Sequence, residues 1–156
     1  MNYSIKLLSC CTAILFFSSS DSLDTDYISI TQQANTITSD LTSISETGMR
    51  CDYRLKVLGI EGSTTKECSN YINAVKNHFI PEIGPQCIAL SNWYEKKRKY
   101  IVANPNLAEK DATQAKQILI AMKAIQKACT VENYESSYPY LMAPMNHINS
   151  LSKIEQ

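Results

Sequence analysis

The sequence predicts an all-α fold, a small disulfide-stapled bundle of four to five helices. Apolar residues recur at alternating spacings of three and four along much of the chain, which is the period of amphipathic helices. Only four of the 156 residues are glycine, fewer than the many turns of an all-β fold would need. Six cysteines in so short a chain indicate that disulfides hold the helices together.

The N-terminal residues have the pattern of a secretory signal peptide. Lys6 precedes an apolar run at 7–17, which is shorter than the roughly 20 residues that a membrane-spanning helix needs. The serines at 18–20 supply the small side chains typical of a cleavage site. We therefore expect residues 1–20 to be removed, with a buried N-terminal helix as the alternative. The remaining residues, 21–156, suffice for one exported helical domain with no membrane attachment.

The cysteines are expected to form disulfides. Cleavage of the signal would remove Cys10 and Cys11 and leave an even number in a chain bound for an oxidising compartment. The spacings between the remaining four, 17, 19 and 42, do not match the close pairs of a zinc site. We therefore expect two disulfides and no metal or other cofactor. The four cysteines are Cys51, Cys68, Cys87 and Cys129.

The first two helices are predicted from their apolar rows. The first is expected to stop at Gly48, because glycine commonly follows the end of a helix. The secondary structure of residues 51–60 is ambiguous. Thr64 or Thr65 caps the second, since a hydroxyl can accept a hydrogen bond from a free N–H of the first turn. The first row is Ile30, Ala34, Ile37, Leu41 and Ile44. The second row is Cys68, Tyr71, Ile72, Val75 and Phe79.

Prolines and asparagines mark the remaining boundaries. Pro81 and Pro85, with Gly84 between them, break or kink the chain, and Pro85 opens the third helix. Asn106, with Glu109 three residues later, caps the fourth. Residues 130–156 then form a tyrosine-rich loop and a short last helix. The expected buried row of the third helix is Cys87, Leu90, Tyr94 and Ile101, with Trp93 adjoining. The fourth row is Ala108, Ala112, Ala115, Ile118, Met122, Ile125 and Cys129.

Helix geometry favours one of the three possible cysteine pairings. The third and fourth helices are joined by a short turn and should lie antiparallel, which brings Cys87 and Cys129 together. Their arms, about 24 and 33 Å long at the rise of an α-helix, match only if the fourth helix starts late or bends. Cys51 then pairs with Cys68.

No motif in the sequence carries a recognisable enzymatic chemistry. The sequence contains no G-x-S-x-G, H-E-x-x-H, P-loop or dinucleotide fingerprint. Cysteines held in disulfides are not nucleophiles. His78 is expected to have a structural role, and His147 is expected to lie at the surface. The balance of 15 basic and 15 acidic residues argues against nucleic-acid binding. We therefore expect a protein that is not an enzyme.

Two segments are candidates for binding a protein partner. The third helix carries Lys96, Lys97, Arg98 and Lys99 on the half expected to be exposed, either as a solvated face or as an anchor for an acidic partner surface. The later loop carries Tyr134, Tyr138 and Tyr140. Tyrosine is favoured at contact sites, but a loop that lies back over the bundle would need such residues equally.

The stretch from Cys51 to Cys129 resembles the Rap1a/Tai family, the immunity proteins that protect bacteria against amidase effectors of the type VI secretion system. The family pattern is a C-x-x-Y-I-x-G-V-like segment, a later cysteine, a helix that runs into a His-Pro turn, and an alanine-rich helix that ends in a cysteine. In this sequence these are Cys68-Ser-Asn-Tyr71-Ile72-Asn-Ala-Val75, then Cys87, then Ala103-Asn104-Pro105, then Ala112 to Cys129. Here Ala74 stands in place of the glycine and Asn104 in place of the histidine.

The resemblance implies a periplasmic protein that binds a peptidoglycan amidase and occludes its active site with a loop or a helix end. It also implies a homodimer. The segments 59–65 and 130–142 are candidates for the contact by their expected exposure alone. Two alternatives stay open: a secreted helical carrier of an apolar ligand, and a secreted effector of unknown chemistry.

Overall fold

The computed structural model describes residues 26–129 and 136–154. The predicted signal peptide and Tyr134 lie outside the described residues. Within those ranges the chain is all-α and contains no strand. Its helices are α1 (Tyr27–Leu58), α2 (Lys66–Ala74), α3 (Gly84–Ala103), α4 (Ala112–Cys129) and α5 (Ala143–Ile154). Shorter helical pieces are a 3₁₀ helix (Gly59–Thr64), a π-helix (Val75–Ile83) and a single turn (Leu107–Lys110).

Helix α1 is the centre of the bundle, and α2, α4 and α5 all pack against it. The row predicted for its buried face, from Ile30 to Ile44, is buried throughout. The helix begins at Tyr27, after Asp26, whose carboxylate accepts a hydrogen bond from the N–H of Ser29 at 3.0 Å. Tyr27 itself is buried, with its ring edge-on to Trp93.

The expected end of α1 at Gly48 is wrong, because the helix continues for ten residues to Leu58. Gly48 is instead a site of close packing. A β-carbon at this position would collide with the backbone carbonyl of Tyr140 and would lie 3.1 Å from the ring of Tyr71. The glycine therefore lets the C-terminal segment approach the helix backbone, and the buried row runs on through Cys51 and Leu55.

The second and third helices are continuous, so a break, the first of the two expectations for residues 81–85, is wrong. The π-helix joins α2 to α3 without a loop, and the N–H of Gly84 bonds to the carbonyl of Phe79, five residues back. A proline inside an α-helix lacks the bonding N–H and its ring strikes the carbonyl four residues earlier. The wider π turn accommodates Pro81 without ending the helix.

The two predicted disulfides are present. The Cα atoms of Cys87 and Cys129 are 5.1 Å apart, and those of Cys51 and Cys68 are 4.4 Å apart. Helix α4 starts at Ala112, after the cap residue Asp111, whose carboxylate accepts from the N–H of Gln114 at 2.8 Å. The late start shortens this arm to about 26 Å, close to the arm of α3.

Helix α5 and the residues before it close the remaining side of α1. Tyr71 is fully buried here, and its hydroxyl donates to the carbonyl of Leu141 at 2.7 Å. None of the helices in the described ranges combines the length and the hydrophobicity needed to cross a bilayer.

Candidate functional site

The structure separates the four basic residues that the sequence grouped on α3. Lys96, Arg98 and Lys99 are exposed, whereas Lys97 is only 6% exposed. Its ammonium lies 5.6–5.7 Å from the ring centroids of Tyr27, Trp93 and Tyr100. The expected exposure of Lys97 is therefore wrong, and this side chain holds the start of α1 against α3 through cation–π contacts.

Helical spacing could have indicated this position. Lys97 follows Trp93 by four residues and Leu90 by seven, so it continues the buried row of α3. The long aliphatic stem of lysine can be buried while its charged end faces aromatic rings. The buried row that the sequence predicts for α3 leaves out Lys97 and is only partly right, because Tyr94 and Ile101 are half-buried.

Residues 138–140, in the described part of the tyrosine-rich loop, lie back over the bundle. Tyr138 is buried, and burial raises the pKa of its hydroxyl. Tyr140 is half-buried, and its backbone N–H donates to the hydroxyl of Ser45 at 3.3 Å. Tyr138 and Tyr140 thus pack against α1 and its neighbours, and their role in partner binding stays a prediction.

The two histidines make polar contacts with carboxylate side chains. His78 lies between Asp40 on α1 and Glu82, with nitrogen–oxygen distances of 3.5 and 2.5 Å. His147 lies 3.5 Å from Asp52, which also accepts from Lys56 at 2.7 Å. Both histidines therefore link α1 to the elements that pack on it. Among the described residues no group of three or more His, Cys, Asp or Glu side chains is arranged to hold a metal ion.

The last turns of α1 present an apolar surface that the sequence reasoning missed. Met49, Tyr53 and Val57 follow one another at spacings of four and are 50, 63 and 59% exposed. Leu58 extends this surface to the 3₁₀ helix, and Arg50 borders it. We call Met49, Arg50, Tyr53, Val57 and Leu58 the α1 tip. The spacing of four can be seen in the sequence, but the secondary structure of residues 51–60 could not be assigned from it.

The α1 tip is held rigid by the elements around it. The disulfide Cys51–Cys68 ties it to α2, and Arg54 donates to Glu67 at 2.6 Å. This guanidinium lowers the pKa of the Glu67 carboxyl. Gly62 lies so close to α1 that a β-carbon there would be 2.5 Å from the carbonyl oxygen of Arg54. The tip therefore presents its side chains from a fixed backbone.

The surface also has two grooves that no residue of the tip lines. One, of about 580 Å³, runs along α4, where Leu119, Ile120 and small alanines line it, and is bounded by Tyr94 of α3. The other, of about 730 Å³, lies beside the disulfide Cys87–Cys129. Ile88, which lines the second groove, is 66% exposed, so this space opens at the surface and is not an interior cavity.

Comparison of the chain with family models, with curated proteins and with solved structures finds no match in any of the three.

Proposed function

We propose that the chain is an exported, non-enzymatic binding protein, an immunity protein that inhibits a peptidoglycan amidase effector in the periplasm. The observation that carries this proposal is the α1 tip, an exposed apolar helix end with a fixed backbone. A helix end of this kind suits insertion into the active-site cleft of an enzyme. The sequence resemblance to amidase immunity proteins leads to the same function independently of the tip.

The residue types of the tip are those that bind proteins well. Tyrosine, methionine and arginine are enriched at protein interfaces, and tyrosine and arginine often dominate the binding energy. Exposed apolar side chains grouped on one helix face often mark an interaction site. Tyr53 is the aromatic residue of the tip and is 63% exposed, so a partner could bury most of its side chain.

The rigidity of the tip favours tight inhibition. Binding loses free energy when flexible side chains and loops must be ordered, and a preorganised surface avoids much of that loss. The Cys51–Cys68 disulfide and the Arg54–Glu67 ion pair fix the backbone before a partner arrives. An exported protein keeps such a disulfide in its oxidising compartment.

The test uses the oxidised protein, purified after export, and each amidase encoded beside its gene. We expect a stable complex in which the amidase loses its peptidoglycan-cleaving activity. Val57→Asp at the tip should weaken inhibition at least about tenfold, because a buried unpaired carboxylate opposes binding. Val102→Asp is the matched control, since Val102 is also helical and is 75% exposed.

The outcomes separate the parts of the proposal. Absence of any complex with these amidases would overturn the immunity function. Inhibition that Val57→Asp and Val102→Asp leave equally strong would retain the function but remove the α1 tip from the contact.

One observation favours a second function, the transport of an apolar ligand. The groove beside Cys87–Cys129 has about 730 Å³, within the range of small-molecule sites, and Phe79, Leu141 and Met142 give it apolar walls. If the protein is a carrier, lipid or another apolar compound should co-purify with it. Mass spectrometry of an organic extract of the purified protein, with and without prior delipidation, checks this. Extracts with no stoichiometric compound would reject the carrier.

A further inference from the structure

The hairpin of α3 and α4 carries most of the positive charge of the protein. Between positions 94 and 127 the chain has eight basic and three acidic residues, a net charge of +5, whereas the whole chain is neutral. Helix α4 contains Lys116, Lys123 and Lys127 and no acidic residue. The charge is therefore concentrated on one side of the bundle, as at the docking sites of acidic partners.

An apolar groove runs through this basic hairpin. Leu119 and Ile120 on α4 are 54 and 47% exposed and line it together with Tyr94 on α3. Lys116 and Lys123 line the same groove, one turn of helix before Leu119 and one turn after it. An apolar centre between two cations is the pattern of a surface that binds an amphipathic segment with acidic residues.

We propose that this groove, which we call the basic groove, binds an acidic helical segment of a protein partner. The segment inserts apolar side chains between Tyr94 and Leu119, and its carboxylates face Lys116 and Lys123. The basic groove shares no residue with the α1 tip, so this is a second interaction surface beyond the proposed inhibition of an amidase.

Charge and shape argue against two other occupants. A second copy of the chain docked through the same groove would bring Lys116 and Lys123 near their own counterparts, and like charges oppose such a contact. An anionic membrane would attract the lysines but presents a flat surface. The groove, of about 580 Å³ and open to solvent, suits the protruding side chains of a helix better than a flat bilayer surface.

The test is a titration of the isotope-labelled, oxidised protein with designed helical peptides, followed by NMR. One peptide carries leucine at heptad spacing with glutamate at its remaining positions, and its partner peptide has lysine in place of glutamate. We expect the acidic peptide to shift the signals of Tyr94, Leu119 and Ile120 and the basic peptide to leave them in place. Vesicles of anionic lipid are titrated in parallel.

Charge reversal supplies the matched variants. Lys116→Glu with Lys123→Glu should weaken the binding of the acidic peptide at least about tenfold, since it replaces attraction by repulsion at both edges. Lys76→Glu with Lys153→Glu makes the same change in net charge at exposed positions outside the groove and should change the affinity less than about twofold.

The proposal is overturned if the acidic peptide leaves the groove signals unchanged or if both variant pairs weaken binding equally. It is also overturned if only the vesicles shift these signals, because the occupant is then a membrane. Each result is independent of whether an amidase binds the α1 tip, so failure of this proposal and failure of the proposed function are distinguishable.

Discussion

Single residues decide how closely the elements of this bundle approach one another. Gly48 has no β-carbon, and the carbonyl of Tyr140 occupies the space that a β-carbon would take. Lys97 has an aliphatic stem and a cation, and both are needed in its site between the rings of Tyr27, Trp93 and Tyr100. In both cases the residue type suits a contact made by another part of the chain.

The first prediction at this scale concerns Gly48. Gly48→Ala should destabilise the protein by about 2 kcal/mol, because the new methyl group meets backbone atoms that cannot rotate away. Ser43→Ala is the control, since Ser43 is an exposed residue of the same helix. That variant should be neutral or gain about 0.5 kcal/mol, because alanine is the better helix former. Chemical denaturation measures both, and equal stabilities would contradict the close packing.

The second prediction concerns Tyr71 and alkaline pH. Burial raises the pKa of its hydroxyl from 10.0 to about 12. The unfolded chain therefore loses this proton at lower pH than the folded protein does. Stability is fully present below pH 10 and falls as the pH rises towards 12.

Tyr71→Phe checks this assignment. The variant should lose about 1 kcal/mol at neutral pH, with the hydrogen bond to Leu141, and should show a shallower alkaline decline. Tyr53→Phe, at an exposed position, is the control and should behave as the unmodified protein does. Unfolding followed by circular dichroism from pH 8 to 12 gives both slopes. A decline as steep in Tyr71→Phe as in the unmodified protein would assign it to other groups.

At the scale of elements, the chain keeps helices going where its sequence suggests that they stop. The π-helix carries the chain past Pro81, and α1 passes through Gly48 without a break. The cap of α4 is also displaced from the expected position. Asn106 makes no side-chain capping hydrogen bond, and Asp111 makes the one that starts the helix.

The third prediction separates these two caps. Asp111→Ala should destabilise the protein by about 1 kcal/mol, because the N–H of Gln114 loses its acceptor. Asn106→Ala should have little effect, since the side chain caps nothing. Thermal unfolding of the two variants is the measurement. A larger loss for Asn106→Ala would restore the cap that the sequence suggested.

At the scale of the whole molecule, the two disulfides fasten α1 to α2 and α3 to α4. They close chain segments of different length, with sequence separations of 17 and 42. In the chain-entropy model the free energy gained by a cross-link grows with the length of the closed segment, to about 3 and about 4 kcal/mol here.

The fourth prediction follows from this difference. Replacing Cys87 and Cys129 by serine should destabilise the protein by about 4 kcal/mol, and replacing Cys51 and Cys68 should cost about 3 kcal/mol. Denaturant unfolding of the two double variants gives the values. Loss of the Cys51–Cys68 disulfide also removes the link between the α1 tip and α2. If the tip inhibits an amidase, inhibition by this variant should weaken more than its loss of stability alone explains. A reversed order of stabilities would show that strain or residual structure outweighs chain entropy.

The candidate site was only partly predictable at this scale. Lys96, Arg98 and Lys99 are exposed as expected, whereas Lys97 is buried. Tyr138 is also buried, which agrees with a loop that lies back over the bundle, one of the two roles that the sequence left open. The apolar residues of the α1 tip repeat every four residues, but such a repeat also describes a buried face. Only the position of α2 and the 3₁₀ helix decides which side of α1 is covered.

The sequence by itself determined the all-α fold, the buried row of α1 from Ile30 to Ile44, and both cysteine pairings. The fold and the buried row follow from helical periodicity, and the pairings follow from the short turn that makes the third and fourth helices antiparallel. The tertiary structure decided that Gly48 and Pro81 continue their helices, that Lys97 is buried, and which apolar residues stay exposed on α1 and α4. Each of these depends on which atoms from distant parts of the chain fill the space around a residue, and local spacing carries no record of that.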